Sequence, residues 1–356
     1  MRFAGRTVGW SAGLTAVLCA VVTVSAGIGP VWIPPGAVAK VLLNAVAVPT
    51  GVSLSGLALD VSTTRLFAYP VTDLQTQIVM KVRLPRILLG AVVGFSLAAA
   101  GTIMQGIFRN PMADPSIIGV SSGAAVGAVG YIVAPVAIPL GLGLRGAAFA
   151  GAILAAFGVY LIATRNGETP VATLLLAGVA VQTFLGAVVS FLLLQSGESI
   201  RQALFWLMGH LKGASWPEVA SSVLLVAVPF VVLLAYARDL NVMLLGEEDA
   251  QSLGIEVERT KRVLLALSSV VTAAGVAVAG IIGFVGLIVP HVMRLLVGPD
   301  HRILLPTAAL AGASFLVATD TLARSGSAEV PVGIVTAALG APFFLYLLRK
   351  REVREL

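Results

Sequence analysis

Apolar runs of about 17–25 residues recur from end to end of this chain, separated by short polar stretches. Runs of that length match a bilayer's hydrocarbon core. They predict spans over residues 8–28, 86–107, 116–136, 145–164, 171–194, 217–237, 262–281, 282–297, 303–323 and 331–348. The block 263–297 is the ambiguous one. As a single helix it would be roughly 52 Å long, well beyond a core of about 30 Å. Its "GIIGFVG" segment offers Gly280, Gly283 and Gly286 for a tight reversal, so it reads as two short spans.

Composition strengthens this reading. The chain is 58% hydrophobic and 11% charged, with a mean hydropathy of +0.99. Soluble domains carry about a quarter charged residues, so the expected class is an all-α polytopic membrane protein with ten spans. The net charge of +6 then reports orientation rather than nucleic-acid binding. With ten spans, Arg2, Arg6 and the tail "RKREVREL" share the cytoplasmic side, and 14 of the 23 Lys and Arg fall inside. The first apolar run could serve as a signal peptide, but nine blocks follow it, and an uncleaved span is expected. The single cysteine, Cys19, cannot form an intrachain disulfide and is assigned to core packing.

The chemistry is sparse. His210, His291 and His301 are scattered without metal-ligand spacing, and no carboxylates pair on one helix face. No lysine follows a glycine, so a GxxxxGK[ST] phosphate loop is absent. Mid-span ionisable residues, the usual mark of an ion-coupled carrier, are almost missing. Asp320, His291 and Arg294 all lie toward span ends. Energy must then come from another chain, although an ion-coupled carrier and a membrane scaffold stay open as alternatives.

Against this background, "GEEDAQSLGIEVERTKR" (246–262) stands out, with eight charged residues in 17. Glu247, Glu248 and Asp249 suit the first turn of a short helix. Ala250 and Leu253 share a face with Leu245 nearby, and Gly254 can end the helix in a left-handed turn. "EVERTKR" starts a second helix, with Glu258 and Arg262 at i,i+4 spacing. A docking element and a solvated hairpin both remain possible. In "RLPR", Arg83 and Arg86 sit at an external helix start, against the helix dipole, with Pro85 suited to the first turn. They either snorkel to lipid phosphates or await acidic residues of a docking protein. Within "FRNPMADPS", Pro111 and Pro115 hold Asn110 and Asp114 away from helix. "NGETPVAT" precedes the fifth predicted span. Each could be no more than an interspan turn. "AAGTIMQGI" (99–107) and "AAGVAVAGI" (273–281) share five of nine residues, an echo that duplication and chance explain equally well.

Several segments together resemble the FecCD-type permeases, the membrane subunits of binding-protein-dependent ABC importers for iron-siderophores, haem and vitamin B12. They are "RLPRILLGAVVG", "MQGIFRNPMADPSIIGVSSGAAVGA", "LLLAGVA", "FWLMGHLKGASW", "GEEDAQSLGI", "GFVGLIVPHVMRLLVGPDHRILLP" and "VPVGIVTAALGAPFFLYLL", in family order across residues 80–350. The resemblance implies a single permease domain (1–356) of the vitamin B12-importer type, in a prokaryotic cytoplasmic membrane. An extended external loop (29–82) and a cytoplasmic coupling loop (238–262) belong to it. It implies a homodimer with two ATPase subunits inside and one solute-binding protein outside, and no nucleic-acid partner. The chain itself would be non-catalytic and bind no cofactor or metal, with ATP and Mg held by the partner ATPase.

On this basis Gly246, Glu247, Ala250, Leu253 and Gly254 are the expected ATPase contacts, and Arg83, Arg86 and Arg324 the expected docking charges. Asn110, Pro111, Pro115, Thr169 and Pro170 are expected at the cytoplasmic gate. The fifth span should line the pathway, with Gln182, Thr183 and Ser190 as its few polar positions. Iron-siderophore is the expected cargo, then cobalamin, then haem. Residues 36–48 are expected to form an amphipathic surface helix.

Overall fold

The computed structural model describes residues 2–55, 58–135, 142–326 and 328–352. The end of the basic tail (353–356) and residue 136 of the third predicted span lie outside the described residues. The chain runs through α1 (Arg2–Gly27), α2 (Pro35–Asn44), strands β1 (Ala47–Ser55) and β2 (Ala58–Arg65), and α3 (Asp73–Gln77). A π-helical turn (Ile78–Arg83) leads into α4 (Leu84–Ile107), followed by α5 (Val120–Val133), α6 (Gly143–Ala163), α7 (Val171–Leu194) and α8 (Ile200–Leu207). Then come α9 (Trp216–Ala235), α10 (Ala237–Met243), α11 (Glu247–Ser252) and α12 (Val257–Ala279). The last three helices are α13 (Val285–Val297), α14 (His301–Ala323) and α15 (Val332–Glu352).

Each predicted span has a helix at its position. By length and composition, seven helical segments among the described residues could cross a membrane, and α5, α13 and part of α15 are shorter apolar helices. The 263–297 block divides as expected, at residues 280–284. Gly280 (φ +72°) makes the turn, together with Phe284 (φ +69°). Gly286 does a different job, inside α13 against α4.

α4 forms the centre. Of its 24 residues 20 are buried, as expected for a helix apolar on every side. Its small residues let neighbouring backbones approach. A Cβ on Gly94 would stand 2.2 Å from the Gly312 carbonyl oxygen, and one on Gly101 only 1.9 Å from that of Gly286. Such small-residue contacts are how membrane helices gain packing without a hydrophobic driving force. α6, α7 and α9 sit outside this core and turn Leu154, Phe157, Leu176, Phe184, Leu224 and Val231 outward.

Four details depart from expectation. The helix carrying "RLPR" starts earlier, at Asp73, with Thr72 and Gln75 forming a capping box. Pro85 therefore lies within a continuous helix. The π turn absorbs it: the Leu84 N–H reaches back to the Val79 carbonyl, accommodating a residue without an N–H. The external segment carries an antiparallel hairpin pairing Val52 with Val61 and Leu54 with Leu59, so the chain is not purely helical. α2 ends at Asn44 and buries Val38 and Val41 against α1 and α4; at ten residues it is about 15 Å long, too short to span. Cys19 is exposed, because α1 is peripheral and that face points away from the bundle.

Candidate functional site

α11 forms as its acidic first turn predicts. Gly246 opens it at φ +136° and Gly254 follows it at φ +86°. Its faces differ from expectation. Ala250 is fully buried in a small cluster with Met243 and Val257, while Leu245 and Leu253 are each 64% exposed. Two leucines are thus offered to solvent beside an acidic turn. Ala250 instead anchors the helix from beneath. Glu247 turns inward as well, to Lys261 Nζ at 3.0 Å. Glu258 pairs with Lys261 at 2.5 Å rather than with Arg262, whose Nε donates to the Tyr160 hydroxyl.

The two expected gate segments lie at this same end. Asn110 Oδ1 accepts the Met112 N–H, and Asp114 caps the 3-10 turn Pro115–Ile118 through the Ser116 N–H. Arg109, one residue before Asn110, is held at φ +46°, and Asn166 at φ +54°, a region L-residues rarely enter. Each of these two segments thus contains one residue in the left-handed region, a conformation Asn166 tolerates more readily than Arg109. Thr169 is buried, with its N–H given to Glu258 Oε2 and its carbonyl accepting from Lys261. Pro170 directly precedes α7.

α7 carries the expected pathway positions. Gln182 Nε2 donates to the Ile117 carbonyl, tying this helix to the 110–118 segment. Thr183 and Ser190 are exposed, but each hydroxyl returns to its own helix, to Val179 and Gly186. The outward face is therefore almost wholly aliphatic and aromatic.

At the other end of α4, about 36 Å away by helical rise, the three expected docking arginines gather around α1 and α14. None is a free charge. Arg83 is buried and gives its guanidinium to the carbonyls of Ala26 and Val31. Arg86 grips Asp320 through Nε and Nη2, and Glu329 through Nη1 at 2.6 Å. Arg324 reaches the carbonyls of Ser25 and Ile28 and lies 3.4 Å from Asp320. Burial pushes the nearby His210 imidazole down, and the Arg86 charge adds to this. Sequence reasoning noticed Asp320 but missed that it organises this cluster. A carboxylate at the end of a nearly uncharged span was the available signal.

Sequence reasoning also missed Lys261, and a second polar group toward the α11 end of the bundle. Arg294 Nη2 donates to Gln105 Oε1, and Gln105 Nε2 donates to the Leu287 carbonyl. Among the described residues no group of three His, Cys, Asp or Glu side chains could hold a metal.

Apolar helices in this number and arrangement, with ion pairs gathered toward the two ends, mark an integral multi-pass membrane protein. The chain belongs to the FecCD transport family, whose model matches residues 9–350. It is 57% identical to the cobalamin import system permease protein BtuC of Halobacterium salinarum, over 99% of this chain and 98% of that one. It is 45% identical to the hemin transport system permease protein HmuU of Yersinia pestis, over 83% and 91%. A solved structure assigned to the metal-chelate type of ABC transporter, in an inward-facing conformation, superposes with a TM-score of 0.77 at 32% identity. That match covers 96% of this chain and 98% of the other.

Proposed function

We propose that this chain is the ten-span, homodimeric pore of an importer for a bulky metal chelate in a prokaryotic cytoplasmic membrane, with both termini inside. Two separate ATPase subunits, holding ATP and Mg, dock on α11 and its exposed Leu245 and Leu253, with Gly246 and Gly254 framing the helix. A solute-binding protein docks at the opposite end, where Arg86 and Arg324 offer charge and Arg83 fixes the floor. Asn110, Pro111, Pro115, Thr169 and Pro170 form the cytoplasmic gate. The observation that carries this reading is the α7 face, whose Thr183 and Ser190 are satisfied within the helix. A wall without free polar groups holds no ligand tightly, so selection must reside in a separate protein.

Among chelates, cobalamin is the first cargo to test, because the relative matched over 99% of the chain is named for it; iron-siderophore and haem follow. The complex, reconstituted with its ATPase and binding protein, should import labelled cyanocobalamin in a vanadate-sensitive manner. Uptake that persists without the ATPase would sink the reading. Import of a ferric hydroxamate or hemin in place of cobalamin would change only the cargo.

A further inference from the structure

Lys261 presents an arrangement that docking alone does not need. Its side chain is 2% exposed at the start of α12, one of the few charged groups, with Arg83, Glu218 and Asp320, that are buried among the described residues. A buried ammonium is tolerated only when paired and hydrogen-bonded. It has three N–H donors, and three acceptors from three segments surround it. They are Glu247 Oε2 of α11 at 3.0 Å, Glu258 Oε1 of α12 at 2.5 Å, and the Thr169 carbonyl at 3.0 Å. The second oxygen of Glu258 accepts the Thr169 N–H at 3.0 Å. Both backbone polar groups of Thr169 are therefore held by the Lys261–Glu258 pair, and its hydroxyl lies 3.0 Å from that of Thr164.

We propose that Lys261 is a positioning residue of the transport cycle, an ionic link that makes the segment before α7 follow the movement of α11. If α11 shifts, Glu247 shifts with it, because Ala250 locks that helix as a unit onto Met243 and Val257. Leaving Lys261 behind would strand a buried donor and separate opposite charges in a poorly screened place. Moving together keeps every bond. Thr169 then moves too, carrying the N-terminus of α7 with it. Glu247 thereby acts on the pore side of α11, while Leu245 and Leu253 remain for the ATPase.

This inference rests on the reading of α11 as the ATPase dock and of 165–170 as a gate, and the test separates the two. Lys261→Met, Lys261→Arg and Glu258→Gln are made in the complete transporter in proteoliposomes. Three quantities are measured: ATPase subunits retained on purification, ATP hydrolysed, and substrate imported per ATP. Lys261→Met and Glu258→Gln should keep the ATPase subunits and their hydrolysis, while import per ATP falls about 10-fold, within the range of ordinary coupling energies. Lys261→Arg, which keeps the charge, should recover most of the loss. Import per ATP equal to the unmodified transporter's, with subunits bound, overturns the link and leaves the docking assignment standing. Loss of the ATPase subunits in Lys261→Met also overturns it, since Lys261 would then hold the dock itself. Should Lys261→Met fail to assemble in the membrane, Glu258→Gln decides alone, its carboxylate being the more exposed partner. The docking reading is tested separately by Ala250→Pro, which must release the ATPase.

Discussion

Replacing Asp320 with Asn should substantially destabilise the end of the bundle where α4 begins, although the substitution preserves shape. The Asp320 side chain is 2% exposed and takes two Arg86 donors, from Nε at 3.0 Å and from Nη2 at 2.7 Å. Arg324 approaches its other side at 3.4 Å. Removing one member of a buried ion pair leaves the other uncompensated, at a cost of about 3–5 kcal/mol. Arg86 keeps Glu329, but that carboxylate is one-third exposed and replaces only part of the lost field. The lower end, about 3 kcal/mol, is therefore expected, roughly a 100-fold change in the folded-to-unfolded ratio. Equilibrium unfolding in mixed micelles, titrated with denaturing detergent, measures it. The double variant Arg86→Gln/Asp320→Asn should lose less than the sum of the singles by at least about 1 kcal/mol, because neither charge is then stranded. A single-variant loss under about 0.5 kcal/mol would show that Asp320 does not hold this end together.

Other outcomes follow from local geometry. Asp300 is held down to about 2, chiefly by the Arg302 side chain, with Asn241 also donating. A depressed carboxylate contributes stability above its ordinary value of 3.8, and that contribution is lost as pH falls from about 4 toward 2. Asp300→Asn should flatten the acid limb of detergent-unfolding midpoints over that window, and an unchanged limb would refute the assignment. Gly101→Ala should cost about 1–3 kcal/mol, because its methyl would meet the Gly286 carbonyl oxygen at 1.9 Å. Gly158→Ala, with no atom within 4 Å of the new Cβ, should be neutral or stabilising in the same unfolding titration. Leu253→Asp should reduce ATPase co-purification without altering the permease's own unfolding midpoint, since the residue is 64% exposed.

Periodicity and length placed the helices well because bilayer thickness fixes how many apolar residues a span requires. The break at Gly280 was legible for the same reason: no single helix could hold residues 263–297. The hairpin at 47–65 was harder to see. Its alternating Val52, Leu54, Leu59 and Val61 were present, but in so apolar a chain alternation stands out weakly from background. The early start of the α4 segment was hidden by Pro85, which normally marks a helix beginning. Only the π turn before it lets the helix run through.

The charged residues were the least legible, for a reason set by membranes themselves. In a soluble domain a charge cluster is usually a solvated face, so "GEEDAQSLGIEVERTKR" and "RLPR" read naturally as surfaces offered to partners. Here the helices leave few polar atoms for a charge to meet, and a side chain near a span end gains more from an opposite charge on a neighbouring helix than from bulk water. Glu247 with Lys261 and Arg86 with Asp320 follow that rule, and Arg83 meets two backbone carbonyls instead. Their partners lie 14, 234 and more than 50 residues away, distances at which one sequence carries no pairing signal. Sequence position showed where the charges gather. The structure shows that at both ends some of them first join helices to one another: of the island's acids Glu247 and Glu258 turn in to Lys261, while Glu248, Asp249 and Glu256 stay exposed beside Leu253.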